Sequence, residues 1–134
     1  MSSKFVRDAF RTAWPVKVPG VRLVDVHNIE PKKMVAPWAA IEFSSFSNEP
    51  ESLGENPCYL EEGELFVNVV VDSGDGVANL EMHSQAVQDA WVKWNDPSGK
   101  VKVVSVSPME EAPASIGLWY SAIVGLRYEY RYFN

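Results

Sequence analysis

Two histidines and one cysteine are the residues of this chain most able to do catalytic chemistry. Asp25 and His27 are two positions apart, so on a strand they share one face. That spacing suits a general base and the carboxylate that orients it. An ordinary polar strand end has the same spacing, and we favour this interpretation. His83 follows Met82 on a predicted helix, points away from its main apolar stripe, and is interpreted as a solvated or half-buried helix residue.

Cys58 is the one candidate nucleophile, with His83 as the base it would need, since such partners meet in space rather than in sequence. Cys58 has neither a glycine-rich turn nor a helix N-terminus beside it to favour the reactive thiolate. We therefore expect a buried or loop thiol. The sequence predicts no catalytic residues, and the chain is not expected to be an enzyme.

The segment Asp72–Gly76 has the composition of a calcium-binding loop. An EF-hand loop needs oxygen ligands at positions 1, 3 and 5 and a glutamate at position 12. Counting from Asp72, these later positions hold Gly74, Gly76 and His83, so the pattern fails. A strand-to-helix turn capped by Asp75 explains the same residues, and no metal or other cofactor is predicted.

Composition favours a single globular domain over residues 1–134, because 46% of the residues are hydrophobic and 22% are charged. The formal net charge of -6 opposes binding to phosphate backbones, which requires Lys and Arg. No apolar run approaches the roughly 18 residues of a membrane helix, and the N-terminus has no signal-peptide core. These features predict a cytosolic protein without a membrane partner.

The spacing of apolar residues along the chain predicts the helices and strands that position these side chains. Val6, Ala9, Phe10 and Ala13 form one stripe of a helix that begins after Ser2 or Ser3 and is expected to end at Trp14-Pro15. A second helix is predicted over 77–94, and strands over 21–26, 38–46, 59–72 and 101–106. The polar segment 47–57 is either a mobile loop or the tip of a long hairpin. The predicted fold class is α+β, with a mainly antiparallel or mixed sheet and two helices packed on one face.

The last stretch of the chain, 117–133, alternates with the period of a strand. One face is apolar and aromatic and includes Tyr128, Tyr130 and Tyr132, while the other carries Arg127, Glu129 and Arg131. Such a strand would run roughly 50 Å, longer than a small core needs. It is expected either to bend at Gly125 or to extend beyond its own subunit.

The order of several short motifs resembles the tail terminator proteins of long-tailed bacteriophages and prophages, and is similar to the minor tail protein U group. The resemblance covers nearly the whole chain. Its motifs are the helix ending at Trp14-Pro15, the strand that opens with Pro37-Trp38, Ser52-Leu53-Gly54, the run Tyr59–Val67, Ser73–Gly76 before the second helix, and the final strand from Trp119-Tyr120 to Tyr132.

The resemblance implies an α+β subunit that forms a homohexameric ring, caps the finished tail tube, stops its polymerisation and provides the surface for head joining. The implied partners are other copies of the chain, the major tail tube protein and the head–tail connector proteins. DNA would only pass through the lumen, where carboxylates repel phosphates. The implied location is the host cytoplasm during assembly and then the virion tail.

Candidate interface residues are bulky or charged groups suited to surfaces as well as to cores. They are Trp38, Ser52, Leu53, Gly54, Tyr59, Arg127, Glu129 and Arg131. Two other interpretations remain open at this stage. One is a different head–tail connector or neck completion protein of a phage, and the other is a small hydrolase that depends on cysteine and histidine.

Overall fold

The structure, a computed structural model, describes residues 3–24, 36–51, 54, 57–72, 74, 76–111 and 119–133. The side chains of Glu111 and Trp119 are outside that description. Its elements in chain order are α1 (Lys4–Lys17), β1 (Arg22–Leu23), β2 (Trp38–Pro50), β3 (Cys58–Asp72), α2 (Gly76–Trp91), β4 (Val101–Val106), β5 (Glu110–Glu111) and β6 (Trp119–Phe133).

The strands form one mixed sheet in the order β1-β2-β3-β6-β4, and β5 pairs separately with β6. Only the short β1–β2 pair is parallel; the other pairs between these strands are antiparallel. Both β3 and β4 are antiparallel to β6, so they run parallel to each other, and β3–α2–β4 is a βαβ unit with β6 inserted between its two strands. The predicted α+β fold, with its mainly antiparallel sheet and both helices on one face, is confirmed.

The hydrophobic core lies between the helices and one face of the sheet. In β3, alternate residues such as Leu65, Val67 and Val69 point into the core, because successive side chains of a strand face opposite sides. β6 contributes Ala122, Val124, Leu126 and Tyr128 on the same side. The helices close this face with Val6, Phe10 and Trp14 from α1 and Leu80, Val87 and Trp91 from α2.

The predicted end of α1 at Trp14-Pro15 is wrong, because the helix continues past Pro15 to Lys17. Proline lacks only one backbone donor, and here that loss falls in the last turn of the helix. The turn is held by Trp14, whose ring is buried, whose Nε1 donates to the carbonyl of Val21 at 2.7 Å, and whose carbonyl accepts from Val18 N at 2.8 Å. Tertiary packing therefore overrides the stop signal.

Other boundaries also shift. β2 continues through Ser47 to Pro50, so the predicted polar segment is divided between a strand and a hairpin connection. β1 is limited to two residues, and α2 ends at Trp91 rather than at Trp94. β5 falls outside the predicted strands.

The final strand runs through Gly125 without a register shift against β3, from Cys58 opposite Phe133 to Asp72 opposite Trp119. The irregularities lie in its neighbours instead. β4 shifts register between Val103 and Ser105, and β2 shifts between Ser45 and Ser47. β6 therefore spans roughly 50 Å as one ladder.

Asp96 organises the connection between α2 and β4. Its carboxylate accepts hydrogen bonds from Ser98 N at 3.2 Å and from Val101 N at 2.8 Å, and also from the Ser98 hydroxyl. Burial, which opposes ionisation, is outweighed by hydrogen bonds from Ser98, Val101 and Lys100, so the pKa of Asp96 is lowered. The ionised form is therefore the one that stabilises this turn.

We expect Asp96→Asn to lower the free energy of unfolding by about 1–2 kcal/mol at pH 7. A carboxyl whose folded pKa is lowered stabilises the protein above its unfolded value of about 3.9, and that contribution is lost as the pH falls through the folded pKa. Urea titrations between pH 7 and pH 2.5 should show the difference between the two proteins shrinking below about pH 4. A difference that stays constant over this range would contradict the role of the charge.

Candidate interaction surfaces

The three central strands extend past the N-terminus of α1. Ser3, the cap of α1, lies against Glu61, and Phe5 lies against Tyr130. Beyond this level lie the last residues of β2, the first residues of β3 and the last residues of β6. We call this part the overhang and define it as residues Glu49–Pro50, Cys58–Leu60 and Arg131–Phe133.

On the face of the sheet away from the helices, the outer face, the predicted charged row is present. Arg131 bonds two carboxylates, Glu51 through Nε at 3.0 Å and Glu129 through Nη1 at 2.9 Å. These bonds, that to Glu51 first, raise the pKa of Arg131 above its ordinary value. Arg127 lies 3.9 Å from Glu64 and over the ring of Phe46 at 5.2 Å. Exposed ion pairs contribute only about 0–1 kcal/mol each, so a partner could exchange them at little cost.

The helix side of the overhang carries an aromatic ladder instead. Phe5, Tyr130, Tyr132 and Tyr59 stack in series, with ring centroids 5.0, 4.9 and 5.6 Å apart. The Tyr132 hydroxyl donates to the Asn48 side chain at 2.7 Å, which fixes the row to β2. Burial, followed by the nearby Tyr132 and Glu61, raises the pKa of Tyr130. The ladder is therefore a partly exposed aromatic surface with polar edges.

The predicted interface residues are only partly brought together. Arg127, Glu129 and Arg131 lie on the outer face, and Tyr59 lies at the same end on the opposite face. Gly54 is in the hairpin connection with a positive φ of 129°, while Ser52 and Leu53 lie outside the described residues. Trp38 lies at the other end of the sheet, opposite Val70, about 36 Å along β3 from Tyr59. Trp38 therefore cannot share one contact patch with the others.

The sequence interpretation missed the group that positions the overhang. Glu61 is 2% exposed, accepts from the Tyr128 hydroxyl at 2.8 Å, and lies 3.3 Å from the backbone N of Ser3. Gly63 makes this possible, because a Cβ at that position would lie 2.5 Å from both the Ser44 carbonyl oxygen and the Tyr128 hydroxyl. Two signals were available: a glutamate in phase with Leu65 on the core face, and a glycine inside a regular strand.

A second surface is an open groove of about 900 Å³ between α1 and the α2–β4 connection. Its apolar lining includes Ala13, Val16, Val92 and Trp94, with Lys17 and Lys93 beside them. Val16 is 82% exposed and Val92 is 53% exposed. Large exposed apolar side chains grouped in one groove mark an interaction site more often than isolated ones do.

Cys58 and His83, the catalytic candidates within the described residues, lie far apart. Cys58 starts β3, 14 positions before Asp72 at the other end of that strand, a distance of about 46 Å. α2 begins four residues after Asp72, at the end of β3 that is far from Cys58. His83 is only seven positions after Gly76, about 10 Å along α2, so it stays far from Cys58. The Cys58–His83 pair is therefore not supported by the geometry, and Asp25 and His27 lie outside the described residues. Within the described ranges, no group of three or more His, Cys, Asp or Glu side chains is placed to hold a metal ion.

Neither of the two described helices has the length and apolar character needed to cross a bilayer. No protein-family model matches the chain, and no curated protein matches it. Solved structures do match. One, whose name gives no function, has a TM-score of 0.59, is 19% identical, and covers 100% of this chain and 99% of its own. At that identity the likeness shows a shared fold and no more.

Proposed function

We propose that this chain is a tail terminator of a phage or prophage, a structural protein that forms a hexameric ring on the end of the tail tube. In this role it stops tube polymerisation and provides the surface to which the head is joined. Its partners are further copies of itself, the tail tube protein and the head–tail connector proteins. Its place is first the host cytoplasm and then the virion tail.

The observation that carries the proposal is the overhang, together with the order of sequence motifs that resembles this family. Three paired strands project past α1, with exchangeable ion pairs on one face and stacked aromatic rings on the other. A protein that works by contact needs such surfaces, because ring subunits bind head to tail through two different patches. Among the described residues, the candidate nucleophile Cys58 and the candidate base His83 lie on different elements, β3 and α2.

The proposal is tested by adding the purified chain to polymerising tube protein encoded in the same genome and imaging the tubes by electron microscopy. We expect six-fold rings at tube ends and tubes that stop growing. Tube length as a function of added chain gives the quantitative measure. Tubes that grow equally long, with bare ends at every concentration, would refute the function.

The hairpin connection is expected to act in docking. Replacing residues 52–57 by Asn-Gly, a sequence suited to a two-residue hairpin turn, retains Glu51 opposite Cys58 and the whole β2–β3 ladder that begins at Pro50 and Tyr59. We expect little change in melting temperature and at least a tenfold loss of tube capping. Met82→Ser, a change at a 57% exposed position on α2, serves as the control and should cap normally. Normal capping by the shortened chain would contradict this role.

A further inference from the structure

Charge is segregated between the two sides of the molecule. The outer face of the sheet and the adjoining Glu51 carry eight carboxylates against four cations, a formal charge of -4. The carboxylates are Glu42, Glu49, Glu51, Glu62, Glu64, Asp72, Glu110 and Glu129, and the cations are Arg22, Lys102, Arg127 and Arg131. This concentration accounts for much of the acidity of the whole chain, whose net charge is -6.

The helix layer has the opposite sign where α1 lies. α1 carries four cations against one carboxylate, Asp8, which is already paired with Lys4 at 2.6 Å. Lys93 and Lys100 lie on the adjoining α2–β4 connection, and both are exposed. The charged residues that line the groove described above are Lys17, Lys93, Asp8 and Asp96. Asp8 is paired with Lys4, and Asp96 is buried and bonded within its own turn, so the two lysines are the charges left available to a partner.

The acidic face has an apolar projection that suits this groove. Phe46 sits at the bulge of β2, between the register shifts at Ser45 and Ser47, and its side chain is 51% exposed. Glu64 and Arg127 lie beside it. A large exposed ring on a bulge of the acidic face suits a groove whose apolar lining includes Val16, Val92 and Trp94.

We propose that the groove between α1 and the α2–β4 connection is occupied by Phe46 of a second copy of this chain, whose acidic outer face lies against the basic surface of α1. The inference rests on the proposed function, because it assigns the two faces by which the ring would assemble. The two patches lie on opposite sides of one subunit, so each copy can bind two neighbours. Such a heterologous contact closes into a ring when its rotation divides the circle.

The contact is tested by disulfide trapping in a Cys58→Ser background. Chains carrying Phe46→Cys are mixed with chains carrying Val16→Cys under mild oxidation, and the covalent dimer is measured on a non-reducing gel. We expect it to form at least tenfold faster than in the control mixture of Phe46→Cys with Glu81→Cys, an exposed position on α2. Circular dichroism confirms that each variant is folded. Equal rates in the two mixtures would overturn the proposal.

Charge reversal gives an independent measurement. With the cysteine pair in place, Glu62→Lys with Glu64→Lys on the Phe46→Cys chain should slow trapping at least fivefold. Adding Lys17→Glu with Lys93→Glu to the Val16→Cys chain should restore most of the rate. A rate of disulfide trapping that neither set of substitutions changes would refute the electrostatic complementarity.

A single chain carrying both cysteines separates this contact from the proposed function. Its covalent ladder should end at six subunits if the ring is hexameric. A ladder that continues to grow, or ends at another number, would refute the hexameric ring while supporting the contact between the two faces. Tube capping that persists in chains with no specific trapping would refute the contact while supporting the function.

Discussion

Gly63→Ala is expected to cost about 3 kcal/mol or more of unfolding free energy. The added Cβ would lie 2.5 Å from the carbonyl oxygen of Ser44 and 2.5 Å from the hydroxyl of Tyr128. Neither neighbour can move freely, because Ser44 is paired with Glu64 in the ladder and Tyr128 is bonded to the buried Glu61. Urea unfolding followed by fluorescence should show the loss, together with a fall in melting temperature on the order of 10 °C.

Gly125→Ala is the matched control, since this glycine also lies inside a long strand. Its added Cβ would approach the Ser107 hydroxyl at 3.0 Å and the Phe66 ring at 3.6 Å, both of them side chains that can adjust. We expect a cost of about 1 kcal/mol or less. Two variants with equal stability would show that the close approach at Gly63 is not what restricts this position.

Phe10→Ala is expected to be the most destabilising core truncation, at about 3–5 kcal/mol. Phe10 is fully buried, and its ring lies 5.0 Å from Trp94, 5.2 Å from Trp91 and 6.3 Å from Tyr128. The Phe10 ring of α1 therefore packs against α2, against the turn that follows α2, and against the sheet. Removing the ring leaves a cavity where these parts meet, and the lost contacts add to the lost transfer free energy.

The measurement for Phe10 is the urea midpoint, with near-ultraviolet circular dichroism reporting the environment of the tryptophans. Phe10→Leu keeps most of the apolar volume and should cost about 1.5 kcal/mol or less. Phe5→Ala is a second control, because Phe5 is 39% exposed and lies at the end of the aromatic ladder. A Phe10→Ala loss no larger than that of Phe5→Ala would contradict the central position of Phe10.

The fold class could be predicted from the sequence because its signals are local. The period-two pattern of Leu65, Val67 and Val69 and the helical stripe of Val6 and Phe10 each report which side of an element is buried. Boundaries failed where a distant contact decides them. Pro15 stays in α1 because Trp14 is anchored by Val21, and β2 reaches Pro50 because it pairs with Tyr59 across the hairpin.

The candidate surfaces were predictable in part for the same reason. The sequence places Arg127, Glu129 and Arg131 on one face, since alternation requires only the strand itself. It could not show that Glu51 completes the ion pairs, because that contact joins positions 80 residues apart. Trp38 was grouped with the others on residue type alone, and strand register separates it from them. The groove is likewise formed by two elements that only the tertiary fold brings together.

The overhang brings the two ends of the described chain close enough for a circular permutant to be made. Ser3 lies against Glu61, which is opposite Tyr130, and Phe133 is only three residues farther along β6. The two ends of the described chain are thus separated by a gap on the order of 10 Å, which a few glycines can span. A circular permutant joined here could be reopened in a connection at the opposite end of the sheet, which would leave the hairpin tip free of any affinity tag.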